Sequence, residues 1–286
     1  MRPAAFVAGR ESKQPCPTAH KPRDSDVDLG IKGKTAIVCG GSKGLGRGSA
    51  EKLAEAGVRI ILNARSEGPL KETAAEIAKR YGVEVVPVAA DVTTPEGREK
   101  LLEAAPNPDI LVNNAGGPPP GVWSDWGEEE WQAAIRANML SPIHLITAVL
   151  PGMIERRWGR IVNITSGSVK APIPALGLSG AARSGLTGFV AGTSRQVARH
   201  GVTINNLLPG QHETARIESL MNNTAKSRGV TVEEARAAAY AANPAGRFGT
   251  TEEFGAACAF LCSAYAGYIV GQNLLLDGGA FNSTLG

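Results

Sequence analysis

Short apolar runs alternate with longer amphipathic stretches along most of the chain. Runs rich in Val, Ile and Leu predict seven β-strands, at 35–39, 58–62, 83–88, 110–112, 160–164, 202–208 and 273–276. Helical periodicity predicts helices between them, at 44–56, 70–81, 95–105, 128–157, 178–200 and 251–264. Because parallel strands need such crossovers, the alternation predicts an α/β fold: one domain with a doubly wound, parallel seven-stranded sheet of Rossmann type.

Two segments do not follow this alternation. Residues 1–28 mix charge, Pro and small residues without a period, so we expect a flexible N-terminal extension before a domain at 29–286. Residues 213–245 are rich in Ala, Asn and charge, and they interrupt the series before the last helix. We interpret this second segment as a helical lid inserted into the same domain.

The composition excludes several function classes. A hydrophobic content of 43% is too high for a disordered chain, and a net charge of +3 gives no reason to expect nucleic acid or an acidic membrane surface as a partner. No run approaches the ~20 consecutive apolar residues of a membrane span. The four cysteines lack disulfide-scaffold density and CxxC spacing, and no metal-ligand motif occurs. We therefore expect a cytoplasmic protein without a bound metal.

Three glycines follow the first predicted strand and open the first predicted helix: Gly40, Gly44 and Gly46. A backbone without Cβ atoms can turn sharply there and approach a ligand closely. The helix N-terminus then presents free N–H groups to a pyrophosphate. Strand, glycine-rich turn and helix together predict a dinucleotide site.

The same glycine-rich turn fits two other motifs less well. Gly40-Gly-Ser42-Lys-Gly44 has the G-x-S-x-G spacing of a hydrolase nucleophile elbow, but this interpretation leaves Gly46 unexplained and needs an ordered acid and His later in the chain. A nucleoside triphosphate P-loop is excluded, because Gly46 is followed by Arg47-Gly48 and not by Lys-Ser/Thr.

The end of the second strand bears on which nucleotide binds. It reads Asn63-Ala-Arg65, where a site for NAD usually places Asp or Glu on the ribose hydroxyls. Arg65, together with Lys43 in the glycine turn, instead supplies two cations suited to a 2′-phosphate. We expect NADP(H) as the cofactor; the alternative is that both cations are merely solvated surface residues.

Further motifs follow in a fixed order. They are Ala-Ala-Asp91-Val, Asn113-Asn-Ala-Gly116, Arg-Ala-Asn138-Met, Asn-Ile-Thr-Ser166, Pro209-Gly210 with Thr214, and Asp277-Gly-Gly279. With the glycine turn they resemble the short-chain dehydrogenase/reductase family over about residues 33–279, including members labelled 3-oxoacyl-acyl-carrier-protein reductases. We expect the cofactor to contact Gly40, Ser42, Lys43, Gly44, Leu45, Gly46, Arg65, Asp91, Val92, Asn114, Ala115, Gly116, Arg183, Pro209, Gly210 and Thr214.

The family's catalytic Tyr-x-x-x-Lys pair is absent from its usual place. Thirteen residues after Ser166 stands Ser179, and four further on stands Arg183. The following Ser-Gly-Leu-Thr-Gly-Phe context is of the usual kind, so the register is secure. The (i, i+4) spacing puts both side chains on one helix face.

This replacement changes the acid–base chemistry. In the family the phenol gives a proton to the new alkoxide, whereas a serine hydroxyl is a much weaker acid and a guanidinium stays charged. We expect Ser166, Asn138, Ser179 and Arg183 to orient and polarise the substrate oxygen. His212, whose imidazole has a suitable pKa, or a relayed water is expected as the proton source. Lys170 and Tyr240 are weaker candidates.

Two functions remain open. The first is an NADP(H)-dependent oxidoreductase acting on a small carbonyl or alcohol substrate through an atypical centre. The second is a cofactor-binding protein with little or no turnover, such as a sensor, partner subunit or scaffold. Trp123, Trp126 and Trp131 either line the substrate cleft or pack internally. The resemblance further implies a homo-oligomer, tetramer or dimer, formed through 128–157, 178–200 and the last strand.

Overall fold

The computed structural model describes residues 27–284. The expected N-terminal extension therefore lies almost entirely outside the described residues, as does the end of the chain. The domain has begun by Ile31, which is fully buried in the core.

A single seven-stranded parallel sheet forms the centre of the molecule, in the order β3-β2-β1-β4-β5-β6-β7. The strands are β1 (Thr35–Val38), β2 (Arg59–Ala64), β3 (Val85–Ala89), β4 (Ile110–Asn113), β5 (Gly159–Ile164), β6 (Val202–Pro209) and β7 (Asn273–Leu276). The strand order reverses between β1 and β4, and ligands of doubly wound sheets bind at such a switch point. The predicted fold class and strand series are confirmed.

Helices cover both faces of this sheet. They are α1 (Gly44–Glu55), α2 (Glu67–Tyr81), α3 (Pro95–Ala104), α4 (Glu128–Ile135), α5 (Ser141–Glu155), α6 (Gly177–Val197), α7 (Ala215–Arg228), α8 (Val232–Ala241) and α9 (Thr251–Cys262). The long helix predicted at 128–157 is divided by a π-helical turn, Arg136–Leu140. The segment expected as a lid contains α7 and α8; that it closes over the site stays a prediction.

Two apolar clusters lie on opposite faces of the sheet, because neighbouring residues of a strand point to opposite sides. Val38 and Val112 pack with Leu53 of α1 and Phe254 of α9. The alternate strand residues pack with α5 and α6, and Leu111 belongs to this second cluster. This burial on both faces explains why the strands are continuous Val/Ile/Leu runs.

One helical stretch, Glu128–Glu155, is long and apolar enough to cross a membrane by length and composition alone. Its best window has a mean hydropathy of 1.4, and polar residues such as His144 and Thr147 interrupt the stretch. Leu145, Ile146 and Met153 of this stretch are buried in the second cluster. The core helix of a globular domain passes the same test, so this helix is weak evidence for a membrane span.

Candidate active site

The glycine turn after β1 has the geometry that a bound pyrophosphate needs. Gly40 and Gly44 both have φ of +58°, in the left-handed region that favours glycine. A Cβ on Gly46 would lie 2.3 Å from the carbonyl oxygen of Gly40, so only glycine fits there. No side chain caps the N-terminus of α1, which leaves its N–H groups to a ligand.

The end of β4 lies beside this turn. Asn114 donates its Nδ2–H to the carbonyl oxygen of Gly40 at 3.2 Å. Ala115 follows, and a Cβ on Gly116 would meet nothing within 4 Å, so the backbone there borders open space. The connections that follow β1 and β4, on either side of the switch point, therefore lie side by side.

Asn63 stands where a dehydrogenase specific for NAD would place an acidic residue, and it is not free to bind a ribose. Its side chain is buried, and Nδ2 donates to the carbonyl oxygens of Val88 and Ala90, each at 3.0 Å. The amide therefore joins β2 to the end of β3. Polar groups for the ribose of a nucleotide must come from elsewhere.

Two cations flank that position. Lys43 is exposed, and no residue in the described range 27–284 forms a hydrogen bond or ion pair with its side chain. Arg65 is also exposed and lies close enough to Asp91 to lower the pKa of that carboxyl. Burial raises the pKa of Asp91, but the Thr93 hydrogen bonds and the Arg65 charge outweigh it, so the net shift is downward.

The remaining residues expected at the cofactor have separate structural roles. The carbonyl oxygen of Ser42 accepts a bond of 3.0 Å from Thr73 Oγ1, which ties α2 to the glycine turn. Pro209 ends β6, and Gly210 N–H donates to Leu276 of β7 at 2.7 Å. Leu45 and Val92 are partly buried and pack against the first and the second apolar cluster respectively.

Ser179 and Arg183 are in direct contact on α6. Arg183 donates Nε–H to Ser179 Oγ at 3.1 Å, one guanidinium N–H to the carbonyl oxygen of Ile164 at 2.8 Å, and another to Ala115 at 3.2 Å. Both side chains are buried. Burial, with a smaller contribution from the charge of Arg216, lowers the pKa of Arg183 to about 10. The guanidinium thus joins α6 to the ends of β4 and β5.

Ser166 follows β5 and is half-buried. Its Oγ accepts hydrogen bonds from Ser168, from the backbone N–H at 3.1 Å and from the hydroxyl at 2.8 Å. Because Ser168 donates both bonds, the proton of Ser166 is free to point to another acceptor. The sequence motifs did not identify Ser168 as a residue of the candidate site. The one feature of the sequence that indicates it is its position two residues after Ser166.

Asn138 lies in the π-helical turn between α4 and α5. Its Nδ2 donates to Ala134 at 3.4 Å, while its Oδ1 is buried without a partner. Asn138 lines a cavity of about 10 Å³, which Arg183 and Asn113 also line. A space of this size holds a single water, and the unpaired acceptors provide the polar partners a water needs.

His212 is placed differently from the other predicted site residues. Its ring is buried edge-to-face on Phe254 of α9, with centroids 5.2 Å apart, and packs against Gly249. Nδ1 lies 3.4 Å from the carbonyl oxygen of Gly210. Burial lowers its pKa below 6.5. None of these contacts is with Ser166, Ser179 or Arg183, so the structure does not bring His212 together with the serine–arginine pair.

Residues after β6 connect α7 to the site. Thr214 caps α7 by accepting from Ile217 N–H, and a Cβ on Gly44 would lie 3.6 Å from its methyl group. Arg216 donates to the carbonyl oxygen of Gly117 at 3.4 Å. Arg216 belongs to no motif that the sequence analysis found. Tyr240, a weaker candidate, donates instead to Glu213 at 2.9 Å.

The tryptophans after β4 divide into two groups. Trp126 contacts Trp131 edge-to-face at 6.1 Å, and its ring lies over Gly177 at the start of α6. These two side chains are partly buried, whereas Trp123 is 85% exposed. Trp126 is therefore the tryptophan adjacent to α6, the helix that carries Ser179.

Within residues 27–284, no three His, Cys, Asp or Glu side chains are grouped to hold a metal ion.

Comparison with known proteins identifies the family. Residues 34–239 match the model of the short chain dehydrogenase family. A 3-oxoacyl-acyl-carrier-protein reductase of Vibrio cholerae is 38% identical over 260 residues, which cover 88% of this chain and 99% of the relative. D-beta-hydroxybutyrate dehydrogenase of Cupriavidus necator is 34% identical over 255 residues, covering 87% of this chain and 98% of the relative.

Solved structures agree. L-sorbose reductase of Gluconobacter frateurii, complexed with NADPH and L-sorbose, superposes with a TM-score of 0.85 at 30% identity, covering 90% of this chain and all of that one. Actinorhodin polyketide ketoreductase with NADPH gives 0.82 at 31% identity, covering 88% of this chain and 98% of that one. The chain therefore belongs to the short-chain dehydrogenase/reductase family of oxidoreductases.

Proposed function

We propose that this protein binds NADP(H) at the switch point of its sheet and catalyses hydride transfer between that cofactor and a small carbonyl or alcohol substrate. The observation that carries the proposal is the arrangement of Arg183, whose guanidinium holds Ser179 and joins the ends of β4 and β5. This arrangement keeps a hydroxyl and a cation beside the loop that follows β4.

The residues at the switch point fit the cofactor. The glycine turn is packed so closely that a Cβ at Gly46 would collide with the carbonyl oxygen of Gly40, and the open N-terminus of α1 suits the pyrophosphate. Lys43 and Arg65 would bind the 2′-phosphate of NADP(H), because both are exposed cations and Asn63 offers no competing carboxylate. Solved relatives with NADPH support the same choice. When bound, the cofactor supplies or accepts the hydride.

The two serines would act on the substrate oxygen. Ser166 has a free proton because Ser168 donates to it, so it can hydrogen-bond a carbonyl oxygen. Ser179 accepts from Arg183, so its own proton is likewise free to be donated. The nearby cation favours the deprotonated form of Ser179 and so strengthens it as an acid. Reduction then adds a hydride to carbon and the Ser179 proton to oxygen, and solvent returns a proton to Ser179.

Asn138 and His212 receive supporting roles in this proposal. Asn138, whose Oδ1 is unpaired, and Arg183 line one water-sized cavity, so a bound water there would connect them. The packing of His212 on Phe254 favours a role in holding the loop after β6 against α9, rather than proton donation. We also propose a cytoplasmic location, which the buried free thiols of Cys39, Cys258 and Cys262 favour.

A second function is supported by one observation. The Arg183 guanidinium donates three hydrogen bonds to the protein itself, two of them to backbone carbonyls. An arginine used in this way can be purely structural. With a serine as the only neighbouring acid, the chain would then bind NADP(H) with little or no turnover, as a sensor or scaffold does.

Oxidation of NADPH across a panel of aldehydes, ketones and 3-oxo esters separates the two functions. Turnover by the wild type that falls at least about 100-fold in Arg183→Ala supports the oxidoreductase, because positioned proton transfer contributes roughly 10²–10⁴-fold. Tight NADPH binding without turnover on any substrate supports the second function. Absence of NADPH binding contradicts both.

A further inference from the structure

Four asparagines form a continuous ladder across the sheet, one on each of four neighbouring strands. Asn113 of β4, Asn163 of β5, Asn206 of β6 and Asn273 of β7 are paired in register. Each Nδ2 donates to the Oδ1 of the next asparagine, at 2.9, 3.1 and 2.8 Å in that order. The first three side chains are buried. The ladder faces α5 and α6, because it continues the strand positions of Leu111 and Ile161.

The ladder has a direction. Every amide donates towards β7, so its acceptor end is Oδ1 of Asn113, a buried oxygen without a partner among the described residues. Asn113 lines the cavity of about 10 Å³ that Asn138 and Arg183 share. Two residues with unpaired amide oxygens, Asn113 and Asn138, therefore line the same small cavity as Arg183.

The charge of Arg183 accounts for this direction. A guanidinium has five N–H donors, and Arg183 uses three of them on the protein. No carboxylate within residues 27–284 pairs with it, and a buried cation without a counter-ion is costly. A reversed ladder would turn the NH₂ group of Asn113, instead of its oxygen, towards the cavity that the cation lines. The observed direction presents the negative end of aligned amide dipoles to that cavity.

We propose that Asn163, Asn206 and Asn273 are positioning residues that act through Asn113. By fixing the orientation of its amide, they hold an acceptor towards Arg183, directly or through one water, and so keep the Arg183 Nε–H on Ser179. The effect of the ladder on the position of Arg183 follows from the hydrogen bonds of the ladder and of Arg183 alone. Its effect on catalysis rests on the proposed function of Ser179 and Arg183.

A matched pair of substitutions on β6 tests the proposal. Asn205 and Asn206 are adjacent and equally buried, but Asn205 bonds to Ile269 and to the N–H of Gln272 and is outside the ladder. Asn206→Leu breaks the ladder, whereas Asn205→Leu removes a comparable amide outside it. Asn273→Ala breaks the ladder at a partly exposed edge strand, which keeps the test available if Asn206→Leu does not fold.

The probe is the Nε–H resonance of Arg183 in protein labelled with ¹⁵N-arginine, assigned by its loss in Arg183→Lys. We expect this resonance to shift or to exchange faster with water in Asn206→Leu and Asn273→Ala, and to be unchanged in Asn205→Leu. An unchanged resonance in folded ladder variants, or the same change in Asn205→Leu, overturns the proposal.

Steady-state kinetics provide the second measurement. If the protein reduces a carbonyl, the ladder variants should lose about 2- to 30-fold in kcat with little change in the KM for NADPH, as energetic coupling through a packed network allows. A loss confined to the KM for NADPH contradicts the catalytic part. The resonance is measured without substrate, so it tests the positioning of Arg183 even if the protein has no reductase activity. The two proposals can therefore fail independently.

Discussion

Arg183 and Ser179, one helical turn apart on α6, are joined by a hydrogen bond of 3.1 Å from Nε–H to Oγ. The two remaining nitrogens of the guanidinium are held by Ile164 and Ala115. The side chain is therefore used for its shape as well as its charge: three bonds in one plane tie a helix to two strand ends. A lysine could not make these three bonds from one terminal nitrogen in the same directions.

Replacing Arg183 with Lys tests this use of shape. Arg183→Lys keeps the charge but leaves at least one buried carbonyl without its donor, which costs about 1–3 kcal/mol of the free energy of unfolding. Chemical denaturation measures that cost, and fluorescence titration measures a parallel loss of NADPH affinity. Arg195→Lys, at an exposed arginine of the same helix, is the control and should change neither. Equal stability of Arg183→Lys and wild type would contradict the structural role.

Restoring the phenol and amine together should raise turnover. In Ser179→Tyr/Arg183→Lys, a group with an ordinary pKa of about 10 beside an ammonium replaces the weaker serine acid. We expect kcat for NADPH-dependent carbonyl reduction to rise, by up to about 10²–10⁴-fold if proton transfer limits the rate. Ser184→Tyr on an exposed face of α6 is the control and should have no such effect. A double variant that folds, binds NADPH and is no faster would show that the acid is not the limiting group.

The sequence was sufficient for the fold and for one contact within the candidate site. Apolar runs located the strands because strands buried on both faces must be apolar throughout, and the (i, i+4) spacing correctly placed Ser179 and Arg183 together. The direction of a loop side chain has no such periodicity. His212 was expected as a proton source, yet its ring packs on Phe254, a residue more than forty positions later that the local sequence does not specify.

Buried polar pairings were also beyond the sequence. Asn63 and Asn163 look alike in a strand pattern, but Asn63 bonds to two backbone carbonyls at the end of β3, whereas Asn163 continues the ladder. Which partner each amide finds depends on strand order and register. A one-residue slip would turn the side chain to the opposite face of the sheet.

The two exposed cations should determine cofactor preference. Arg65→Gln and Lys43→Gln are each expected to weaken NADPH binding by about tenfold, since a charge-assisted bond to phosphate contributes roughly 1.5–3 kcal/mol before screening by salt. The affinity for NADH, which lacks the 2′-phosphate, should not change. Fluorescence titration of both nucleotides measures this, with Lys79→Gln on exposed α2 as a control of equal charge. Equal losses of affinity for NADPH and NADH would show that these cations bind a part of the nucleotide other than the 2′-phosphate.

Buried His212 should make stability depend on pH. Burial lowers its pKa in the folded protein below 6.5, so the unfolded chain binds the proton more readily. The contribution of His212 to the free energy of unfolding is then complete above pH 6.5. This contribution decreases as the pH drops from 6.5 towards the lower pKa of the folded protein. Urea denaturation above and below pH 6.5 should show a smaller decrease in His212→Gln than in wild type. His144→Gln, at an exposed histidine of α5, should behave as wild type.

The exposed apolar residues around β7 predict self-association. β7 is an edge strand, with one row of backbone groups unpaired in the sheet. Phe260, Tyr265, Tyr268 and Leu274 lie exposed on α9, on the turn after it and on β7, and Tyr268 is fully exposed. Exposed apolar side chains next to an open sheet edge are typical of an interface, and a second copy of the chain suits it because two β7 strands can meet about a twofold axis.

Light scattering in solution measures the outcome. We expect a dimer or tetramer for the wild type and a smaller species for Tyr268→Asp/Leu274→Asp. The double variant would have to bury two carboxylates without partners in the interface, which strongly disfavours association. Trp123→Asp also replaces an exposed apolar residue, but beyond β4 rather than at β7, and it should leave the mass unchanged. A monomeric wild type, or dissociation by Trp123→Asp alone, would exclude the β7 edge as the interface.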